Sequence, residues 1–209
     1  MREVKAVKEA ARLIGIAIRT APKSSGVDDV SYVIASDSQK TKIALEVKRI
    51  AGLLKAGKAS NIRKAIELDW HSDAEAIYKS DCVILVGVKG RKPLGFNCGG
   101  CGFKNCTEFL KAKCADGLLL PGPFCIFKIW DLGIAVSSAS KAASLMNIDN
   151  RIMFKAGIAG CQLKLIKGYC PILGLPLSAS GKNIYFDRKE KLDARELWRQ
   201  IGSVKNIEG

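Results

Sequence analysis

Histidine is nearly missing from this chain: His71 is the only one among 209 residues, and no catalytic dyad can be built around it. It reads as a surface or structural residue. Long apolar runs are missing too. Stretches such as Cys82 to Val88 and Leu118 to Leu120 fall far short of the roughly 20 residues a bilayer-crossing helix needs, so no membrane partner is expected. The N-terminus, Met1-Arg2-Glu3-Val4-Lys5, is charged at once and shows no apolar core of the secretory kind, which leads us to expect a cytoplasmic protein. Aromatic residues make up only 7%, and no basic run is interleaved with them. Single-stranded nucleic acid is therefore disfavoured, although 34 Lys and Arg against 20 Asp and Glu leave a formal net charge of +14. A content of 48% hydrophobic and 26% charged residues excludes disorder, collagen and coiled coil, and the length suits one domain with room for an inserted module.

Cysteine, by contrast, is abundant. Eight cysteines in a reducing compartment, where disulfides are rare, direct attention to metal ligation or redox chemistry. Cys98, Cys101 and Cys106 lie within nine residues of one another, and Cys114 and Cys125 follow. Cys82 and Cys161 read as small core hydrophobes. Cys170 precedes Pro171 in the manner of a ferredoxin's last ligand but stands 45 residues beyond Cys125, so all three are left outside the site. The same region is basic, with Lys89, Arg91, Lys92, Lys104, Lys111 and Lys113 against the single acid Glu108. Such charge can offset a thiolate cluster and steer an acidic redox partner protein, or simply form a solvated face.

Helical periodicity through Val4, Val7, Ala11, Ile14 and Ile18 predicts a first helix closed at Pro22 and Ser24-Ser25-Gly26. Val30 to Ala35 reads as a strand, followed by a helix with Ile43, Val47, Ile50 and Leu54 on one face and Gly57 as its stop. A brief helix around Ile62 to Leu68 and a second one capped by Ser72 and Glu75 are expected next. Cys82 to Val88 is continuously apolar, as a central strand covered on both faces would be. The Gly-, Lys- and Cys-rich stretch from Gly87 to Cys106 is a loop long enough to suggest function. A short helix over Asn105 to Lys113, a turn at Pro121-Gly122-Pro123 and a strand over Phe124 to Trp130 follow. Asp131 is expected to cap a small-residue helix to Met146, Ile152 to Phe154 to be a strand, Ile158 to Ile166 a helix, Ile172 to Leu177 a strand, and Asp193 with Glu196 to cap a last helix to Ile201. Alternating strands and helices argue for an α/β (α+β) class, one sheet with helices on both faces.

The spacing Cys98-x2-Cys101-x4-Cys106-x18-Cys125 carries the chemistry. A four-iron cubane needs one thiolate per iron, and a tight loop can present three sulfurs while the fourth arrives from a distant segment. Gly99, Gly100 and Gly102 permit that bend and bring unhindered N–H groups towards inorganic sulfide. Phe103 and Leu110 would keep water off the cluster, and Asn105 would cap the helix carrying Cys106. Cys125 is preferred as fourth ligand because the Pro-Gly-Pro turn can fold it back, with Cys114 as the alternative. A closed zinc site of four cysteines is the rival, although zinc ribbons divide their ligands two and two rather than three and one.

This spacing resembles the 4Fe-4S domain of electron-transfer subunits in anaerobic redox complexes and of the acetyl-CoA synthase corrinoid subunit, which implies an inserted ferredoxin-type segment over residues 89–126 of one domain spanning 1–209. Around it, the run Ala17 to Asp29 and the run Pro176 to Asn183 resemble the signatures of a family of uncharacterised ferredoxin-domain proteins from anaerobic archaea and bacteria. Thr20-Ala21-Pro22-Lys23-Ser24 before a strand, with the small-residue segment Asp131 to Met146, is similar to the flavin-dependent nitroreductase fold. That resemblance implies a nitroreductase-like central sheet flanked by helices, bound FMN and a homodimer. Read from the residues, Ser178, Lys182 and Asn183 offer a phosphate small groups and an amine, with Arg188 and Lys189 close by, and Arg19, Lys23 and Ser24 face the same anion if the two loops meet. A polar loop after a strand is the alternative reading. Gly181-Lys182 lacks the upstream glycine of a nucleotide P-loop. The functional expectation is an iron–sulfur redox protein relaying single electrons, with a bound FMN as their acceptor acting on a small substrate. The alternatives are a zinc-stapled module binding an acidic partner, and a cluster-bearing sensor without turnover.

Overall fold

The computed structural model describes residues 2–186 and 188–202. Helix α1 (Arg2–Thr20) leads into strand β1 (Val30–Ile34), followed by α2 (Asp37–Lys55), α3 (Ser60–Lys79) and β2 (Cys82–Val88). After β2 the chain makes the short helix α4 (Cys106–Lys111) and a two-residue ladder of β3 (Ala115–Asp116) with β4 (Pro121–Gly122), then α5 (Ile126–Leu145), β5 (Asp149–Asn150), α6 (Phe154–Gln162), β6 (Ile172–Ser178) and α7 (Lys189–Ile201).

Four strands form one sheet in the order β1-β2-β6-β5, and every pairing is antiparallel. All seven residues of β2 are buried, as expected of an uninterrupted apolar strand at the centre. Strand alternation sends Cys82, Ile84, Val86 and Val88 to the layer of α1 and α5, and Val83 and Leu85 to the layer of α2, α3 and α6. The register pairs Val30 with Val88 and Gly87 with Ile172 at one end of the sheet, and Cys82 with Leu177 at the other. Helix α6 lies so close on β6 that a Cβ at Gly157 would fall 1.8 Å from the Ile172 carbonyl oxygen. Only glycine admits that approach.

Several elements depart from the sequence expectation. Residues 60–79 form one helix, and the Ser72–Glu75 capping box does not form: Ser72 is buried inside α3, and His71 sits beside it in the same helix. Phe124 to Trp130 is not a strand. Helix α5 starts at Ile126, because Lys128, Asp131, Leu132 and Ala135 already follow the i, i+3, i+4, i+7 spacing of one buried face. Asp131 is therefore inside the helix and caps nothing. In place of a strand at Ile152 to Phe154, β5 occupies Asp149–Asn150, Met153 makes one bridge to Gly174, and Phe154 opens α6. Helix α7 begins at Lys189, so Asp193 and Glu196 lie within it.

A charged knot joins α3, α6 and α7. Lys155 lies 2.7 Å from both Asp69 and Asp73, Lys191 contacts both carboxylates, and Arg188 reaches Asp73 at 3.0 Å. Burial by itself would raise the Asp73 carboxyl, but the attraction of Lys155 and Lys191 overrides it and holds the group far below the usual carboxylate range. A carboxyl lowered on folding stabilises the fold above its ordinary value of 3.8, and that contribution is lost as the pH falls from there towards the folded value. Asp73→Asn should cost about 3 kcal/mol at pH 7, since removing one partner leaves buried cations uncompensated. Urea titrations at pH 7 and pH 3 check this: the variant's deficit should shrink at the lower pH, and an equal deficit at both would refute the assignment.

Candidate functional site

The chain between β2 and α5 bends through left-handed residues at Gly95 (φ +87°), Asn97 (φ +50°), Gly99 (φ +72°) and Gly102 (φ +84°). Side chains of two asparagines organise it. The Asn97 amide oxygen accepts from the Cys106 N–H at 2.9 Å, placing the third cysteine of the motif beside the residue that precedes the first. Asn105 caps α4 by accepting from the Glu108 N–H at 2.9 Å, as expected for the helix that carries Cys106.

The three-cysteine loop rests on the start of α5. A Cβ at Gly100 would lie 2.9 Å from Ile126, the residue next to Cys125. Cys125 is the N-cap of α5, is buried, and donates its N–H to the Gly90 carbonyl at 2.8 Å. Cys98 is exposed, while Cys101 and Cys106 are half-buried. Among the described residues, no three His, Cys, Asp or Glu side chains form a metal-ligating group. Phe109 is fully buried and meets Phe103 edge-on at 5.8 Å, and Phe96 meets Phe127 at 5.0 Å. Leu110, expected to exclude water, points outward and is 57% exposed, because its neighbour Phe109 takes the inward side of α4. Cys114 is exposed and lines a different cavity, together with Cys161 and Cys170.

A buried charge cluster fixes where α5 begins. Lys128 has no exposed surface and sits 2.9 Å from Asp29 and 4.0 Å from Asp131. Lys92, in the loop after β2, reaches Asp29 at 3.0 Å, and Asp131 accepts from both the N–H and the hydroxyl of Ser24 at 2.8 Å. Burial pushes the Asp29 carboxyl up, but the ion pair with Lys128 and the hydrogen bond from Lys92 leave it below its ordinary value. Sequence reasoning missed Lys128 and Asp29 by placing Lys128 in a strand. The available signal was Lys128 and Asp131 at i, i+3 on an otherwise apolar helical face.

The residues named for a flavin phosphate fall into two groups. Arg19 pairs with Asp28 at 2.8 Å and donates to the Val30 carbonyl, Lys23 donates to the carbonyls of Ile18 and Arg19 that end α1, and Ser24 is held by Asp131. These lie at the Val30 end of the sheet. Ser178 closes β6 at the opposite end and is buried, Lys182 follows in the adjoining loop, and Asn183 donates to Asp149 at 2.8 Å. Arg188 is engaged by Asp73. The structure does not bring the two groups together within one chain. Of the remaining cysteines, Cys82 is a core residue whose thiol burial pushes up to about 11. Cys161 departs from that reading: it is only half-buried and lines one cavity with Cys170.

Residues 121–188 match the family described as "Uncharacterized protein containing a ferredoxin domain (DUF2148)". A protein of Archaeoglobus fulgidus is 40% identical over 185 residues, covering 88% of this chain and 93% of its own length. The chain belongs to this ferredoxin-domain family. Its fold is similar to that of a nitroreductase from Desulfitobacterium hafniense solved with bound FMN, with a TM-score of 0.51 at 16% identity over 88% of this chain and 84% of that one. A nitroreductase of B. subtilis follows with a TM-score of 0.49, 12% identity and coverage of 92% and 71%. This ferredoxin-domain chain thus has a nitroreductase-like α/β fold, and among its described residues no helix is long and apolar enough to cross a membrane.

The charge cluster should dominate local stability. Lys128→Ala strips Asp29 of its buried partner and should cost about 3 kcal/mol, measured by urea unfolding. A loss below about 1 kcal/mol, the value of a surface pair, would show that the cluster does not hold α5 in place.

Proposed function

We propose that this chain is an iron–sulfur electron-transfer protein holding a 4Fe-4S cluster on Cys98, Cys101, Cys106 and Cys125. The observation that carries this reading is the seating of Gly100 on Ile126, which docks the three-cysteine loop against the helix whose first residue follows Cys125. The chemistry of the donor set suits the group: three free cysteines in a loop whose glycines at positive φ turn the backbone without hindrance from side chains, and a fourth, Cys125, at the start of α5. When bound, the cluster supplies one-electron transfer. The protein's own residues set its surroundings. Phe103 and Phe109 form an apolar wall that limits water, and Asn97 and Asn105 hold the Cys106 segment.

The charged residues divide by role. Lys92 pairs with Asp29, whereas Lys104, Lys111 and Lys113 are exposed and make no ion pair among the described residues. We assign these three to attracting an acidic redox partner, an effect that weakens as salt rises. FMN does not fit one cradle in this chain, because its candidate contacts sit at opposite ends of the sheet and Arg19, Lys23 and Ser24 already bond to the protein. No step is derived through it.

Anaerobic purification followed by iron and acid-labile sulfide analysis tests the reading. About four irons and four sulfides per chain are expected for one cubane. Cys125→Ser should abolish loading and Cys114→Ser should retain it. Zinc without iron would overturn the proposal in favour of a closed structural site.

A further inference from the structure

Cys161 lies in the last turn of α6, and Cys170 stands two residues before β6. The turn between them doubles back through left-handed Lys164 (φ +52°) and Gly168 (φ +79°), bringing both side chains to the wall of one cavity, where the two thiols interact. Backbone contacts hold both ends. The Lys164 N–H donates to the Cys161 carbonyl at 3.0 Å, and the Gly90 N–H donates to the Cys170 carbonyl at 3.1 Å. Both thiols are half-buried and line a cavity of about 390 Å³.

The walls of that cavity contain no acidic residue. Lys164 and Lys167 are exposed and make no ion pair among the described residues. Arg91 stacks on Phe109 and donates to the Ala112 carbonyl, but its Nη1 is buried with no hydrogen-bond partner. A wall that carries Cys161 and Cys170, with the exposed Cys114 on the same cavity, under uncompensated cations suits a ligand that carries both a sulfur electrophile and negative charge.

We propose that Cys161 and Cys170 form a redox-active dithiol that reduces an anionic low-molecular-weight disulfide bound in this cavity. This activity stands apart from the cluster cysteines. Cys170 is the attacking thiol: it is the less buried of the two, and its interaction with Cys161 lowers its pKa against the opposing effect of burial, while the same interaction and then burial hold Cys161 protonated. The Cys170 thiolate attacks one sulfur of R–S–S–R, breaking that bond, and RS⁻ leaves. The leaving thiolate takes the Cys161 proton. The Cys161 thiolate then attacks Cys170, forming the Cys161–Cys170 disulfide and expelling a second RS⁻, which is protonated from solvent. The protein loses two electrons, and the substrate disulfide gains them as two RSH.

The test mixes the reduced full-length protein, anaerobically, with oxidised glutathione as the anionic disulfide and hydroxyethyl disulfide as a neutral one. Wild type should release two glutathiones per chain and yield a Cys161–Cys170 cross-linked peptide by mass spectrometry. Cys161→Ser should stop at one released glutathione with one glutathionyl group on Cys170, and Cys170→Ser should yield no cross-link. Lys164→Glu with Lys167→Glu should slow the reaction with oxidised glutathione about tenfold and leave the neutral disulfide's rate unchanged. Absence of the cross-link in wild type would overturn the dithiol. An equal effect of the lysine changes on both disulfides would overturn the anionic substrate.

Discussion

Lys128 is a cation with no contact with solvent, and the placement of α5 depends on how it is compensated. Its carboxylate partners come from two directions. Asp29 lies just before β1, and Asp131 is one turn further along α5 and also binds Ser24. An uncompensated ammonium in such a place would cost several kcal/mol, so the helix can settle only where Asp29 reaches it. That requirement fixes Cys125, three residues earlier in the chain, at the end of the sheet where β2 delivers the cysteine-rich loop.

The antiparallel register then concentrates the chemistry. Val30, Val88 and Ile172 lie together, so the first loop, the loop after β2 and the turn before β6 share one end of the sheet. The four candidate cluster cysteines, Cys170 and much of the unpaired basic charge belong to that end. The far end holds Ser178 and the polar loop to Asn183, tied to Asp149. Two thiol systems therefore lie on either side of Gly90, whose carbonyl accepts from Cys125 and whose N–H donates to Cys170. A side chain at Gly90 would clash with the Cys170 carbonyl, so this closeness depends on glycine.

Readability from sequence followed the range of the interactions. The uninterrupted run Cys82 to Val88 announced a doubly covered strand, and the Asn105 cap and the triple-cysteine spacing were visible because each depends on neighbours a few residues away. The break placed inside α3 came from a local capping pattern at Ser72, which the structure overrides by packing that side chain inward while Arg188 bonds to its carbonyl. The strand expected at Phe124 to Trp130 failed because bulky apolar residues suit strand and helix equally, and what decides is the burial of Lys128 against Asp29, 99 positions away.

The amino-acid order by itself determined the α/β class, the central strand, the glycine-rich bend and the set of thiols that are candidates for a cluster, since all of these rest on periodicity, backbone freedom and short spacing. Only the tertiary structure decided that Cys125 starts a helix under the Gly100 bend, that the two loops considered for an anion lie at opposite ends of the sheet, and that Cys161 and Cys170 line one cavity. Those outcomes depend on strand register and on long-range charge pairing, which no local window of residues contains.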